Sequence, residues 1–212
     1  TRLAAMVGLG IAADIEWSNE NKVLDQGDAP ECVSAGTLGL LNTDDEHHNN
    51  PRFTSRDIHP FFVKIAGAGP NGAYGREGLK AAKAAGLISA YARLANDAEI
   101  DDWLENHGPV AVGTVWTPAM TLPVGDIVVV DSTISTDAGH WWFLHGQDIY
   151  YRHGTNSWGE DFADHGLFRM RRCGFTRLLK AGGEAWAIVQ PVATPAASAR
   201  KPSPSSTAKG LR

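Results

Sequence analysis

Gly139-His140-Trp141-Trp142-Phe143-Leu144, followed after one hairpin-like stretch by Gly154-Thr155-Asn156-Ser157-Trp158-Gly159, is the part of the chain whose reading decides the fold. A short apolar run rich in aromatic residues and preceded by glycine predicts a buried strand over about 140–144, with a histidine at its mouth. Working outward, β-type runs are expected at 110–116, 126–130, 167–170 and 184–189. Upstream of Gly108-Pro109 the signals are helical: 32–42, then 76–85 closed by Gly86, then 97–107 closed by Gly108. Asp97 is the expected N-cap of the last of these, and Ile100, Trp103 and Leu104 share one face at helical spacing. A helical part over about 23–108 followed by a β-rich part over about 109–190 is an α+β layout, whose cleft is a natural place for a site.

The bulk numbers narrow the function classes. The 212 residues are 43% hydrophobic and 20% charged, an ordinary balance for a globular unit with a sizeable core. A net charge of −5 removes the electrostatic footprint of a broad nucleic-acid binder. The apolar start over 3–13 is too short and too broken by glycine to span a bilayer, so no membrane partner is expected. Two cysteines, Cys32 and Cys173, are too few for a disulfide-stapled scaffold or a four-cysteine zinc site, which points to a reducing compartment, with secretion as the alternative. The Pro/Ala/Ser-rich segment 191–212 is expected to be a disordered tail.

Cys32 follows the turn-rich run Asp25-Gln26-Gly27-Asp28-Ala29-Pro30-Glu31 at the expected start of a helix. Helix N-terminal amides favour negative charge, so a thiolate there is a better nucleophile. An isolated cysteine is more often a small buried hydrophobe, but the histidine and asparagine segments change that reading. A thiol nucleophile needs a base within reach, and the base needs a third group to fix its tautomer. Cysteine, histidine and asparagine occur here in the chain order of papain.

Gln26-Gly27 before Cys32, Gly108-Pro109-Val110-Ala111-Val112-Gly113, Gly139-His140 and Asn156-Ser157-Trp158-Gly159 followed by Asp164-His165-Gly166-Leu167-Phe168-Arg169 resemble the corresponding segments of the papain-like (C1) cysteine peptidases. The likeness covers about 25–172 and looks closest to compact bacterial and bacteriophage members. It implies two subdomains, a helical one and a barrel-like one, with the active site between them, and a peptide or protein substrate with no cofactor or metal. It further implies Cys32 as nucleophile, His140 as base, Asn156 as its orienting partner, Gln26 as an oxyanion donor and Trp158 as a shield over the histidine–asparagine contact. Trp158 also fits a core tryptophan by residue type. Trp116, Met120 and Trp142 are candidates, with Trp158, for the substrate-binding wall.

Two departures from the family pattern bear on activity. The chain reads Pro30-Glu31-Cys32-Val33-Ser34 where the family has Gly-Ser-Cys-Trp character, and the histidine and asparagine lie 108 and 124 residues after Cys32, which shorter loops would explain. A carboxylate beside a thiol opposes the thiolate unless solvent screens it, so a catalytically inactive binding module is the alternative to a peptidase. A cell-wall peptide amidase is a further one. Of the other histidines, His47-His48 reads as a loop, His107 as a helix C-terminal residue and His145 as structural; His59, His153 and His165 carry no spacing signal. Gly67-Ala68-Gly69-Pro70-Asn71-Gly72 lacks the lysine of a phosphate-binding loop and reads as a flexible loop. Cys173 is expected to be a buried residue opening a short helix.

Overall fold

In a computed structural model of the chain, the described residues are 14–17, 23–43, 53–134 and 138–191. The apolar start, the acidic run with His47-His48 and nearly all of the tail lie outside them. In chain order the elements are β1 (Ile15–Glu16), α1 (Cys32–Leu41), a 3-10 turn and α2 (Ile58–Phe62), α3 (Gly75–Ala84), β2 (Ala90–Leu94), α4 (Asp97–Asn106), β3 (Val110–Val115), β4 (Ile127–Val128), β5 (Gly139–Gln147), β6 (Tyr151–Thr155), β7 (Leu167–Arg171), α5 (Arg172–Lys180) and β8 (Glu184–Val189). This is the expected α+β class, with the expected helices and strands within a few residues, except that β5 is longer and β4 shorter than read. Two strands in the upstream part, β1 and β2, and the pairing strand β6 add to the expected set.

Seven strands run in the order β2-β8-β3-β5-β6-β7-β4, and β1 adds to β5. The expected barrel-like closure does not occur: β2 and β4 are the two ends of an open path, joined by no ladder. Neighbours are antiparallel except for β4 against β7.

The sheet is buried on both faces, which accounts for the unbroken apolar run of β5. Along β5, Trp141 and Phe143 enter one core with α1, α2 and α3, while Trp142 and Leu144 enter the other with Ile100, Leu104, Phe168 and Phe175. The same two-residue alternation holds on β3, where Ala111 joins the first core and Val110 and Val112 the second. Two helix ends show ordinary capping chemistry. Gly86 closes α3 with φ +71° and its N–H on the Lys83 carbonyl. The N-cap of α4 is Asn96 rather than Asp97: the Asn96 side chain accepts from the Glu99 N–H at 3.0 Å. Asp97 instead carries its carboxylate to the buried Arg152 guanidinium at 2.9 Å.

Helix α1 is buried from Val33 to Leu41, and two glycines seat it directly on β5. A Cβ at Gly36 would fall 2.9 Å from Trp141 Cδ1 and 3.1 Å from the Trp141 carbonyl oxygen; one at Gly39 would meet the Phe143 ring at 3.1 Å. The missing side chains therefore set the helix-to-strand distance, and with it the separation between the first residue of α1 and the start of β5. Gly36→Ala is expected to push α1 from its seat and to destabilise the fold by about 1–3 kcal/mol, as overpacking commonly does. Denaturant unfolding checks this, and an unchanged midpoint would show that the contact does not set the spacing.

Candidate active site

A cleft of about 520 Å³ opens where α1 meets the sheet, lined by Gln26, Cys32, Tyr74, His140, Trp141, Trp158 and Glu184 among others. Three of the four polar residues singled out from the sequence, Gln26, Cys32 and His140, thus share one cavity, and Asn156 lies behind the histidine. Cys32 is the first residue of α1 and is half-buried. Burial pushes its thiol pKa up, more than the backbone amides of Trp141, Val33 and Cys32 itself pull it down.

His140, the second residue of β5, is buried, and its Nε2 lies 2.6 Å from Asn156 Oδ1. The Ser157 backbone N–H, which can only donate, also points at Asn156 Oδ1, at 2.8 Å. The atom between them must therefore be the amide oxygen. It follows that His140 Nε2 carries the proton and donates, leaving Nδ1 as the free acceptor of a neutral imidazole. Burial lowers the His140 pKa to about 4, and the Asn156 hydrogen bond offsets only part of that effect.

Two tryptophans pack against the ring beside this contact and against each other, their ring centroids 5.8 Å apart. Trp158 lies 5.0 Å from the His140 ring centroid, tilted, and Trp116 lies 4.9 Å away, edge to face. Trp116 is thus behind the imidazole. With Met120 and Trp142 it belongs to the second core, where Met120 and Trp142 have no exposed surface, and none of the three lines the cleft. Of the four wall residues suggested by the sequence only Trp158 lines the cleft, and it is joined there by Trp141 and the largely exposed Tyr74. A one-residue shift along β5 exchanges the two faces, which is why Trp141 faces the cleft and Trp142 does not.

Gln26 is fixed at both ends of its amide. Its Oε1 accepts from the Ser157 hydroxyl at 2.6 Å, and its Nε2 donates to the Ala29 carbonyl at 2.7 Å. One N–H of that amide remains uncommitted at the cleft surface. Its backbone N–H donates to the Ser157 carbonyl, and Asp25 bridges to Trp158, so two short backbone contacts lock the Gln26 and Asn156 segments together. Ser157, which the sequence reading passed over, is therefore the residue tying the amide to the imidazole.

Glu31 departs from both sequence readings, since it neither faces solvent nor lines the cleft. It is buried, and His59 Nδ1–H donates to its Oε1 at 2.6 Å. Its carboxylate thus has an imidazole partner outside the cleft. Cys173, expected to be buried, is exposed at the start of α5, and both cysteines are free. Gly69 and Gly72 bridge around Pro70-Asn71, a tight turn that places Asn71 and Gly72 on the cleft rim.

No protein-family profile and no curated protein sequence matches the chain. Solved structures do. Xylellain, a cysteine protease from Xylella fastidiosa, superposes with a TM-score of 0.63 at 16% identity over 86% of this chain and 88% of that one. Digestive procathepsin L 3 from the larval midgut of Tenebrio molitor gives 0.61 at 16% identity, over 84% of this chain and 70% of that one. A cysteine protease of Carica candamarcensis gives 0.61 at 14% identity, over 84% and 98% of the two chains. Across that sequence distance the backbone is held in common, and the chain has the papain-like fold.

Proposed function

We propose that this chain is a cysteine-type peptidase acting on peptide or protein substrates, with Cys32 as nucleophile, His140 as general base, Asn156 as the group that orients the base, and Gln26 with the Cys32 backbone N–H as oxyanion donors. The observation that carries the reading is the convergence of a helix-terminal thiol, an imidazole with its acceptor nitrogen free and a fixed side-chain amide on one cleft. In the reaction His140 Nδ1 takes the thiol proton as Sγ bonds to the scissile carbonyl carbon. The carbonyl oxygen becomes an oxyanion held by the Gln26 and Cys32 N–H groups, an arrangement commonly worth about 3–4 kcal/mol per donor lost. His140 then returns its proton to the leaving amine as the C–N bond breaks. Water attacks the Cys32 thioester with His140 again as base, releasing the acid and restoring the thiol. A bacterial or bacteriophage origin, from the resemblance of the motif segments, and a cytoplasmic setting, from the two free cysteines, belong to the same proposal.

Both pKa shifts favour a neutral thiol–imidazole pair at rest. That makes proton transfer part of the attack rather than a step completed before substrate arrives. Two outcomes are expected. Brief treatment at neutral pH with an epoxysuccinyl thiol-protease inhibitor should add one adduct, mapped by mass spectrometry to Cys32; it should vanish in Cys32→Ala and His140→Ala and persist in Cys173→Ala, and a label on Cys173 alone would sink the assignment. With the base needed unprotonated, kcat/KM should fall as pH drops through about 4, the His140 pKa, with the fold monitored by circular dichroism. A fall centred at the ordinary histidine value, about 6.5, would show that the imidazole is not buried in the working enzyme.

Glu184 is the only carboxylate among the cleft-lining residues and has no ion-pair partner among the described residues. It should favour a basic side chain near the cleaved bond. Glu184→Gln should lower kcat/KM for lysine- or arginine-containing peptides about fivefold, the scale of a partly exposed ion pair, while leaving neutral peptides unchanged. Profiling with a peptide library checks this, and equal losses for both classes would remove Glu184 from specificity.

A further inference from the structure

Glu16, His145 and His153 meet about a second, smaller cavity of about 210 Å³ whose lining residues include none of those of the catalytic cleft. One ligand atom from each lies within 4.8 Å of the other two. His145 Nε2 is 2.9 Å from Glu16 Oε1, and His153 Nδ1 is 2.7 Å from Glu16 Oε2, so both rings turn one nitrogen toward the same carboxylate. The opposite nitrogens are already engaged. His153 Nε2 faces Asp148 Oδ2 at 3.1 Å, and His145 Nδ1 faces the Thr155 hydroxyl at 2.9 Å. A carboxylate or hydroxyl on the remote nitrogen is the arrangement that fixes tautomer and orientation in metal-ligating histidines. Asp126 and Asp164 line the same cavity.

Backbone features build this convergence. The ladder between β5 and β6 slips between Leu144 and Gly146, which makes His145 the extra residue of a β-bulge, a device that re-aims a side chain. Gly146 lets β1 approach: a Cβ there would lie 2.5 Å from the Ile15 carbonyl oxygen and 2.7 Å from Glu16 Oε2. Through the bulge and the glycine, residues more than a hundred positions apart present two imidazoles and a carboxylate to one point. Ligands of a tetrahedral ion at about 2.1 Å stand about 3.4 Å apart. Each histidine nitrogen therefore moves back a little from the carboxylate oxygen it now meets at 2.9 or 2.7 Å, an adjustment that side-chain torsions supply.

We propose that Glu16, His145 and His153 form a binding site for a divalent transition-metal ion, Zn²⁺ by the borderline-soft character of a two-histidine, one-carboxylate set, with Asp148 and Thr155 orienting the two rings. Binding replaces the proton on each ring nitrogen that faces Glu16, and it ties β1 to the β5–β6 hairpin. The site is independent of the thiol chemistry, and its test does not read activity. The whole chain, stripped by chelator and dialysed against Zn²⁺, should retain one equivalent by elemental analysis and gain thermal stability. Calorimetric titration with Zn²⁺ should show the binding lost in Glu16→Gln and His153→Ala and weakened about tenfold in Asp148→Asn. Cys32→Ala and Cys173→Ala should bind as the parent does, and the Co²⁺-loaded chain should show visible bands of a tetrahedral ion without a thiolate-to-metal band. Glu16 is exposed, so Glu16→Gln keeps the comparison valid if His153→Ala fails to fold. No retained metal, or binding that follows either cysteine or survives Glu16→Gln, would mean that the three residues form an ion-pair cluster only.

Discussion

The direct seating of α1 on β5 is the contact on which the rest of the arrangement depends. A helix usually stands off a sheet by the depth of its side chains; here Gly36 and Gly39 remove that depth opposite Trp141 and Phe143. The nucleophile candidate begins the helix and the base candidate begins the strand, so one packing distance fixes both. Gly75 serves the same end from α3, since a Cβ there would lie 1.9 Å from Trp141 Cζ3. Trp141 is thus clamped by two helices, and its backbone amide reaches the Cys32 thiol. Such close-packed contacts transmit small displacements rather than absorbing them.

Ser157 supplies a second constraint, of hydrogen bonds rather than packing. Its N–H donates to Asn156 Oδ1, its carbonyl accepts from the Gln26 N–H, and its hydroxyl donates to Gln26 Oε1. All three of its polar groups are spent joining the residue behind the imidazole to the amide across the cleft. Removing one partner would leave others buried without a mate, the costly outcome for a polar network. The orientation of the imidazole and the placement of the amide are therefore not independently adjustable.

What could be read from the sequence follows from what local pattern encodes. The apolar run at His140 to Leu144 announced a strand, and Gly86 announced a helix end, because both signals are local. The pairing of β2 was hidden, since Ala90–Leu94 is largely exposed and has the composition of a helix surface. Trp116, Met120 and Trp142 looked like a wall because they are large and apolar. Which face each occupies depends on strand register, and that comes only from the assembled sheet. The grouping of Cys32, His140 and Asn156 was legible through resemblance, from their chain order and flanking segments. The Glu16, His145 and His153 cluster was not, because a bulge and a glycine make it rather than any spacing.

Glu31 shows how the surroundings of a charge decide its effect. Beside Cys32 in the chain, it threatened the thiolate, yet in the fold it is buried against His59 and outside the cleft. What opposes charge at the thiol is burial, which lowers the His140 pKa as well. A pair kept neutral at rest carries no separated charge into the complex with substrate. In the proposed chemistry charge then develops only as the carbonyl is attacked, beside the Gln26 amide that lines the cleft. Donors fixed before the reaction stabilise that state without reorganising, so in the proposed chemistry the same burial that disfavours the resting thiolate concentrates the electrostatic benefit in the transition state.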